Sequence, residues 1–360
     1  MPSVDTIPVT LLTGFLGSGK TTVLNHIIRS APRTAVVMNE FGEVGLDHQL
    51  LERMEGPLAL LAGGCVCCTL SGSLAPSLKN LYMARQKGDI PAFERVVIET
   101  TGIADPAPIL DVLLHDPWLF ARFRLDGVVT TVDAVLGEQQ LDSYFEAVRQ
   151  VAVADRLLLT KIDLADGGQC RLLQERLARL NPAAHIIGAC RGAIDTAEIF
   201  GLGLYDPSSK SPDVLRWLRE SHYAPVRRDA LGRVAPAKGS WENHDVRVQS
   251  FSIVLDEPIS RVGLESALAM LVSFRSGHLL RFKAIVNVAG EAVPSVLHGV
   301  QHVLYPEEKL PGWPDEDTRS RFVFIVRDLE PQFVAKVLDD FAGASLGMMP
   351  ASVVEMGNRL

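Results

Sequence analysis

The chain has 360 residues, 47% of them apolar and 22% charged, with 43 acidic against 35 basic side chains and a net charge of −8. That composition supports sizeable cores and excludes global disorder; the length predicts about two domains, and no Lys/Arg block is long enough to follow a nucleic-acid backbone. No apolar run approaches a membrane span, Asp5 stands where a leader peptide would be basic, and three of the five cysteines crowd into four positions, a poor disulfide framework; the expectation is a cytoplasmic protein in a reducing setting, partnered by neither nucleic acid nor membrane.

In chain order, the apolar run Ile7–Leu12 predicts a buried strand and Thr21–Ile28 a helix with one apolar face. Between them, Gly14-Phe15-Leu16-Gly17-Ser18-Gly19-Lys20-Thr21 fits the Gly-x4-Gly-Lys-[Ser/Thr] phosphate loop. Gly14, Gly17 and Gly19 let backbone N–H groups approach an anion, and the helix N-terminus adds its positive dipole end. Lys20 is expected to reach the terminal phosphates and the Thr21 hydroxyl to hold Mg²⁺. Ser18 and Thr22 complete the nucleotide-binding loop.

Thr34–Met38 predicts the next strand, followed by the polar loop Asn39–Asp47 where a GTPase places its first switch. Asp47 could complete the Mg²⁺ shell, although an ordinary acidic loop accounts for each of these residues equally well. Cys65, Cys67 and Cys68 then offer three thiolates, which favour Zn²⁺ or another thiophilic ion. A fourth ligand would come from Glu40, Glu43 or His115, or the ion would be held openly for transfer. A short-loop disulfide, redox chemistry or inert buried thiols are the alternatives.

After a helical pattern over Gly72–Gln86, the strand Arg95–Glu99 ends in an acid and leads into Thr100-Thr101-Gly102. Beside a phosphate loop, Glu99 can bind Mg²⁺ directly or through water, and Gly102 can approach the γ-phosphate. Strands Asp126–Val132 and Arg156–Thr160 follow, the latter running into Thr160-Lys161-Ile162-Asp163. This Thr-Lys-x-Asp stands where GTPases carry Asn-Lys-x-Asp. The Asp163 carboxylate can accept both N1–H and N2–H₂ of guanine, the Lys161 stem can cover the base, and Thr160 forgoes the amide contacts of Asn. A helix over Cys170–Leu180, strand His185–Ile187 and a loop at Gly188–Gly192, with Ala189 as a third guanine element, close the series.

Alternation of strands and helices predicts an α/β fold, a P-loop doubly wound mostly parallel sheet, over residues 1–205. Residues 206–245, rich in Pro and Ser, read as a linker with one short helix, Asp213–Glu220. Residues 246–342 read as a smaller α+β C-terminal domain with an antiparallel sheet: strand Val248–Leu255, helix Arg261–Ser273, strands near Leu279–Val288 and Ser295–Leu304, strand Arg321–Val326 and helix Pro331–Phe341. Residues 343–360 form a tail. His298 and His302, four apart in a strand-like stretch, would share one face, although ordinary satisfied histidines explain them better.

The order GFLGSGKTT, NEFGEVGLD, GCVCC, ETTG and TKID resembles the CobW-type metallochaperone GTPase family, relatives of the nickel-insertion GTPases of urease and hydrogenase. Gly277-His278-Leu279-Leu280-Arg281-Phe282-Lys283, His298–His302, Trp313 and Ser320–Ile325 are similar to that family's C-terminal domain, so the likeness runs from about residue 7 to 340. Met38 stands where some relatives carry an acid, Ala284 where a Gly often follows the Lys, and the linker has no histidine-rich tract. The resemblance implies GTP/GDP and Mg²⁺ as cofactors, with Cys65, Cys67 and Cys68 as ligands of Zn²⁺ (or Co²⁺, Ni²⁺ or Fe²⁺). It also makes Lys20 and Glu99 the catalytic pair and Asp163 the guanine reader. The implied activity is slow GTP hydrolysis by a monomer or weak homo-oligomer that delivers metal to a client metalloprotein. Cobalt or iron insertion for corrinoid synthesis or nitrile hydratase, a nucleotide-dependent kinase and a thiol redox switch are the competing readings.

Overall fold

The computed structural model describes residues 6–38, 51–52, 58–61, 65–69, 74–202, 224–225, 227–228, 234–235, 248–275 and 277–342; for 51–69, 224–235 and 274–275 it describes the backbone alone. Two compact units emerge, one of residues 1–178 and 184–205, the other of 179–183 and 206–360.

The first unit is built on strands β1 (Ile7–Gly14), β2 (Thr34–Met38), β3 (Leu51–Glu52), β4 (Leu58–Leu61), β5 (Cys65–Thr69), β6 (Arg95–Glu99), β7 (Phe123–Asp133), β8 (Arg156–Thr160) and β9 (His185–Ala189). Their order in one sheet is β3-β4-β5-β2-β6-β1-β7-β8-β9. From β5 to β9 every pairing is parallel, while β3 and β4 add an antiparallel edge. Strands covered on both faces read as continuous apolar runs, which is why β2 is buried throughout and β1 nearly so. Helices α1 (Lys20–Ser30), α2 (Leu74–Lys87), α3 (Ala107–His115), α4 (Pro117–Phe120), α5 (Gly137–Ser143), α6 (Phe145–Val153) and α7 (Gly167–Leu180) connect them. The face of α1 formed by Val23, Leu24, Ile27 and Ile28 packs with Leu12, Val36, Val97, Val129 and Leu158 of the sheet, each side chain worth roughly 1.5–3 kcal/mol of gross burial. The chain goes from β1 to β2 on one side and from β6 to β7 on the other. That reversal opens a crevice at the carboxyl end of β1.

Buried Asp126 on β7 secures the end of this unit. Its carboxylate accepts from the amides of Gly201 (2.9 Å) and Leu202 (3.1 Å). Burial raises its pKa, and those amides offset part of the cost.

The second unit has short strands β10 (Ala224–Pro225), β11 (Arg227–Arg228) and β12 (Val234–Ala235), then β13 (Val248–Leu255), α8 (Arg261–Arg275), β14 (Leu279–Val286), β15 (Ser295–Val300), β16 (Val303–Leu304), β17 (Glu308–Lys309), β18 (Ser320–Arg327) and α9 (Pro331–Ala342). Strands β13, β18, β14, β15 and β16 form an antiparallel succession, with β17 on β15. Phe251, Phe282, Phe322 and Phe324 on alternate positions meet Leu264, Leu268 and Leu271 of α8 and Val334 and Leu338 of α9 in one core. At its margin Arg261 binds Glu307 (2.5 Å) and Glu291, Lys309 binds the same two acids, and the Ser295 hydroxyl donates to Glu307 (2.6 Å).

Ser295–Leu304 is not one strand. β15 ends at Val300, Gln301 takes a left-handed φ of 53°, and the chain returns as β16. His298 and His302 therefore do not share a strand face: His298 is buried in β15, and His302 lies in the turn. Helix Asp213–Glu220, most of the linker and the tail 343–360 lie outside the described residues. Among the described residues no helix is long and apolar enough to cross a membrane.

Candidate functional site

The loop from β1 to α1 turns at Gly14 (φ 144°), Gly17 (φ 73°) and Gly19 (φ 90°). At Gly14 a Cβ would be driven into the Thr131 hydroxyl and stand 2.5 Å from the Thr131 carbonyl, so the loop lies directly on β7. Gly19 caps α1 in a left-handed conformation and, being glycine, offers the first-turn amides no side-chain acceptor. Those donors point to an anion, as helix starts do. Lys20 is only 6% exposed because its ammonium folds back onto the carbonyls of Gly14 (3.0 Å) and Phe15 (3.3 Å). Ser18, fully buried, shares a 2.6 Å hydrogen bond with the Thr131 hydroxyl.

Glu99 ends β6 on the strand next to β1, and Thr21 opens α1. The Thr21 hydroxyl donates to Glu99 Oε1 at 3.1 Å, and Glu99 is 2% exposed. A hydroxyl and a buried carboxylate meeting at the end of a phosphate loop are hard oxygen donors of the kind Mg²⁺ takes. Past Glu99, the Thr100 hydroxyl donates to that of Thr13 (2.8 Å), and a Cβ on Gly102 would stand 2.8 Å from the Leu16 backbone. The Glu99–Gly102 turn thus lies against the phosphate loop.

At the base end, the structure separates residues that the sequence grouped. Thr160 is 3% exposed, and its hydroxyl lies 2.7 Å from the Ser18 carbonyl and 3.1 Å from that of Val132. Its one proton is directed at backbone carbonyls, so Thr160 braces the phosphate loop from the end of β8. Lys161 adopts a left-handed φ of 55° and donates to Asp133 at 2.5 Å. Asp133, its carboxylate fully buried, also accepts from the amides of Val135 (2.8 Å) and Leu136 (3.1 Å). Sequence reasoning missed Asp133, although it ends an apolar strand in an acid just as Glu99 does. Asp163 keeps its side chain 25% exposed, with Arg191 Nε 3.5 Å away. Ala189, at the end of β9, is fully buried.

The cysteine motif is a strand. Register sets Cys67 beside Val36 and Cys68 beside Val37 on β2, which in turn face Val97 and Ile98 on β6; Thr69 is level with Met38 and Glu99. Cys68 thus stands one position short of the carboxyl edge, two strands from the acid beside the phosphate loop. The side chains of Cys65, Cys67 and Cys68, and the whole of residues 39–50 with Glu40, Glu43 and Asp47, lie outside the described residues. His115 Nδ1 is taken by Asp111 at 2.8 Å, and among the described residues no group of three or more His, Cys, Asp or Glu forms a metal site.

Residues 8–188 match the family model described as "CobW/HypB/UreG, nucleotide-binding domain", and 248–342 that of the "Cobalamin synthesis protein cobW C-terminal domain". The chain is 35% identical over 324 residues to the zinc chaperone YjiA of Escherichia coli, covering 89% of this chain and 94% of that protein. To the zinc chaperone CobW of Pseudomonas aeruginosa it is 29% identical over 374 residues, covering 94% and 92%. The crystal structure of Zn(II)-bound YjiA GTPase from E. coli superimposes with a TM-score of 0.73 at 32% identity, covering 93% of this chain and 99% of that one. Phosphate loop, adjoining acid, cysteine strand and C-terminal sheet therefore come together in a chain that belongs to the CobW/HypB/UreG family, with a CobW-type C-terminal domain.

Proposed function

We propose that this chain is a GTP-hydrolysing metallochaperone that binds zinc at Cys65, Cys67 and Cys68 and delivers it to a client metalloprotein. Relatives similar over nearly its whole length carry the names zinc chaperone and GTPase. In this reading the glycine loop and the first-turn amides of α1 cradle the phosphates, and Lys20 exchanges its two carbonyl partners for phosphate oxygens. Thr21 and Glu99 hold Mg²⁺, with Asp47 completing the set; the bound ion supplies neutralisation of developing phosphate charge. Lys161, anchored on Asp133, covers the base, and Asp163 reads its N1–H and N2–H₂. Among the described residues no side chain stands out as a strong general base, so intrinsic hydrolysis is slow and rests on positioning.

The observation that carries the coupling of metal to nucleotide is register: Cys67, Val36 and Val97 are level across three adjacent strands, and Glu99 is two residues further on. A switch that orders around γ-phosphate between these strands changes how the thiolates hold their ion. Zinc affinity, titrated against a competing chelator, is expected to differ by roughly 5- to 150-fold between GDP and a non-hydrolysable GTP analogue, a coupling of about 1–3 kcal/mol. Replacing Cys67 and Cys68 together with Ser should remove tight zinc binding and leave nucleotide affinity, measured without metal, nearly unchanged. Equal zinc dissociation constants in both nucleotide states would refute the chaperone cycle, and undiminished zinc in the double variant would move the site elsewhere.

A further inference from the structure

We propose that Arg191 is a second base-reading residue, donating to the 6-oxo edge of guanine beside Asp163. The inference rests on the guanine reading above and supplies what the Thr160 geometry leaves open. With the Thr160 hydroxyl committed to the Ser18 and Val132 carbonyls, the side chain that replaces the usual Asn gives nothing to the base. Among the described residues the cation within ion-pair reach of Asp163 is Arg191, with Nε 3.5 Å from Oδ2 and a side chain 86% exposed.

The backbone holds Arg191 there at a cost. Cys190 and Ala193 pair across a two-residue turn closed by the Ala193 amide on the Cys190 carbonyl at 2.9 Å. Both central residues are left-handed, Arg191 at φ 50° and Gly192 at φ 77°. Such turns favour Asn or Asp followed by Gly, and an Arg at the first position is an unfavourable choice that a binding role would explain. The second position fixes the distance to the phosphates. A Cβ on Gly192 would come within 2.8 Å of the Thr22 carbonyl, so the turn sits on the first turn of α1, two residues past Lys20.

The chemistry of the base completes the argument. Guanine offers two donors, N1–H and the 2-amino group, to Asp163, and next to N1 it carries the acceptor O6. A guanidinium has five donors and no acceptor, and its pairing with guanine O6 and N7 is the commonest specific base contact. Adenine presents a 6-amino donor at the same place, which a guanidinium cannot accept. Asp163 thus reads the 2-amino group, and Arg191 separates 6-oxo from 6-amino purines.

The test is displacement of mant-GDP from the full chain by GDP, IDP and ADP, in wild type, Arg191→Ala and Asp163→Ala. IDP keeps O6 and N1–H but lacks the 2-amino group. Arg191→Ala should weaken GDP and IDP alike, by about tenfold, the scale of one charge-assisted hydrogen bond at an exposed edge. ADP affinity and the GDP-to-IDP ratio should stay as they were, while Asp163→Ala collapses that ratio. No change in Arg191→Ala, an equal loss for all three nucleotides, or a fallen GDP-to-IDP ratio would each overturn the proposal, the last by showing that Arg191 acts through Asp163. A ratio that survives Asp163→Ala would instead overturn the guanine reading beneath it.

Discussion

The two ends of the nucleotide site are built by opposite means. At the phosphate end Ser18, Thr131, Glu99 and Lys20 are all buried, and their polar atoms meet one another, the Thr21 hydroxyl or backbone carbonyls. At the base end buried Asp133 only anchors Lys161, and the charged side chains assigned to the base itself stay in contact with water: Lys161 is 35% exposed, Asp163 25% and Arg191 86%. Phosphate recognition is the same for every nucleotide, so a rigid, preformed cradle serves it. Base recognition depends on a difference between ligands, and exposed charges gain strength only when a flat base covers them. Changes at the phosphate end should therefore cost stability and binding together, whereas changes at the base end should alter guanine affinity and selectivity and leave stability as it was.

Gly14→Ala gives the largest expected effect. Its Cβ has no room against the Thr131 hydroxyl and carbonyl, both on a central strand, so the loop must leave β7. Overpacking against buried backbone costs about 1–3 kcal/mol, toward the upper end where backbone blocks the way, and nucleotide binding should vanish with it. Thermal melting and mant-GDP titration check both. A variant with parental melting temperature and affinity would show that the cradle is softer than its packing implies.

Much of this end was legible in sequence because the constraint is local. Gly14, Gly17, Gly19, Lys20 and Thr21 lie within eight residues of one another, and the strand and helix that flank them announce themselves by apolar period. The strand character of Cys65–Thr69 was not legible: a five-residue segment with three thiols has no clear period, and its place beside β2 depends on partners 31 residues away in the chain. The role of Thr160 was hidden for a similar reason. Its place at the end of an apolar strand said nothing of its partner, a carbonyl 142 residues earlier. Asp133 could have been found by the rule that found Glu99, an acid ending a buried strand, had it been applied to β7.

Thr160→Val tests the boundary between the two ends. Valine fills nearly the same volume but leaves the buried Ser18 and Val132 carbonyls without their donor, a loss of about 1–2 kcal/mol. As a brace of the phosphate loop, Thr160 should affect GDP and ADP affinity by the same factor, so their ratio stays constant. A selective loss of GDP would assign Thr160 to the base end and undo the contrast.

The smallest effect sharpens the comparison by setting the open charges of the base end beside a closed network in the second unit. Glu307 faces Arg261, Lys309 and Ser295 at once. Burial alone would raise its pKa, but hydrogen bonds from Arg261, Lys309 and Ser295 outweigh it and bring the carboxyl from 4.5 down to about 2. Because the folded value lies below the unfolded one, the network's contribution is complete above pH 4.5. It is lost as pH falls toward 2, with more than half gone by about pH 3. The shift sets a ceiling of roughly 3 kcal/mol, and solvent around the partly exposed groups lowers the expected contribution to about 1 kcal/mol. Glu307→Gln should therefore unfold at lower urea than wild type at pH 7, with the gap mostly closed at pH 3. A gap of equal size at both pH values would mean that Glu307 contributes through shape and not charge. The network would then no longer stand as the charge-paired counterpart of the open base end.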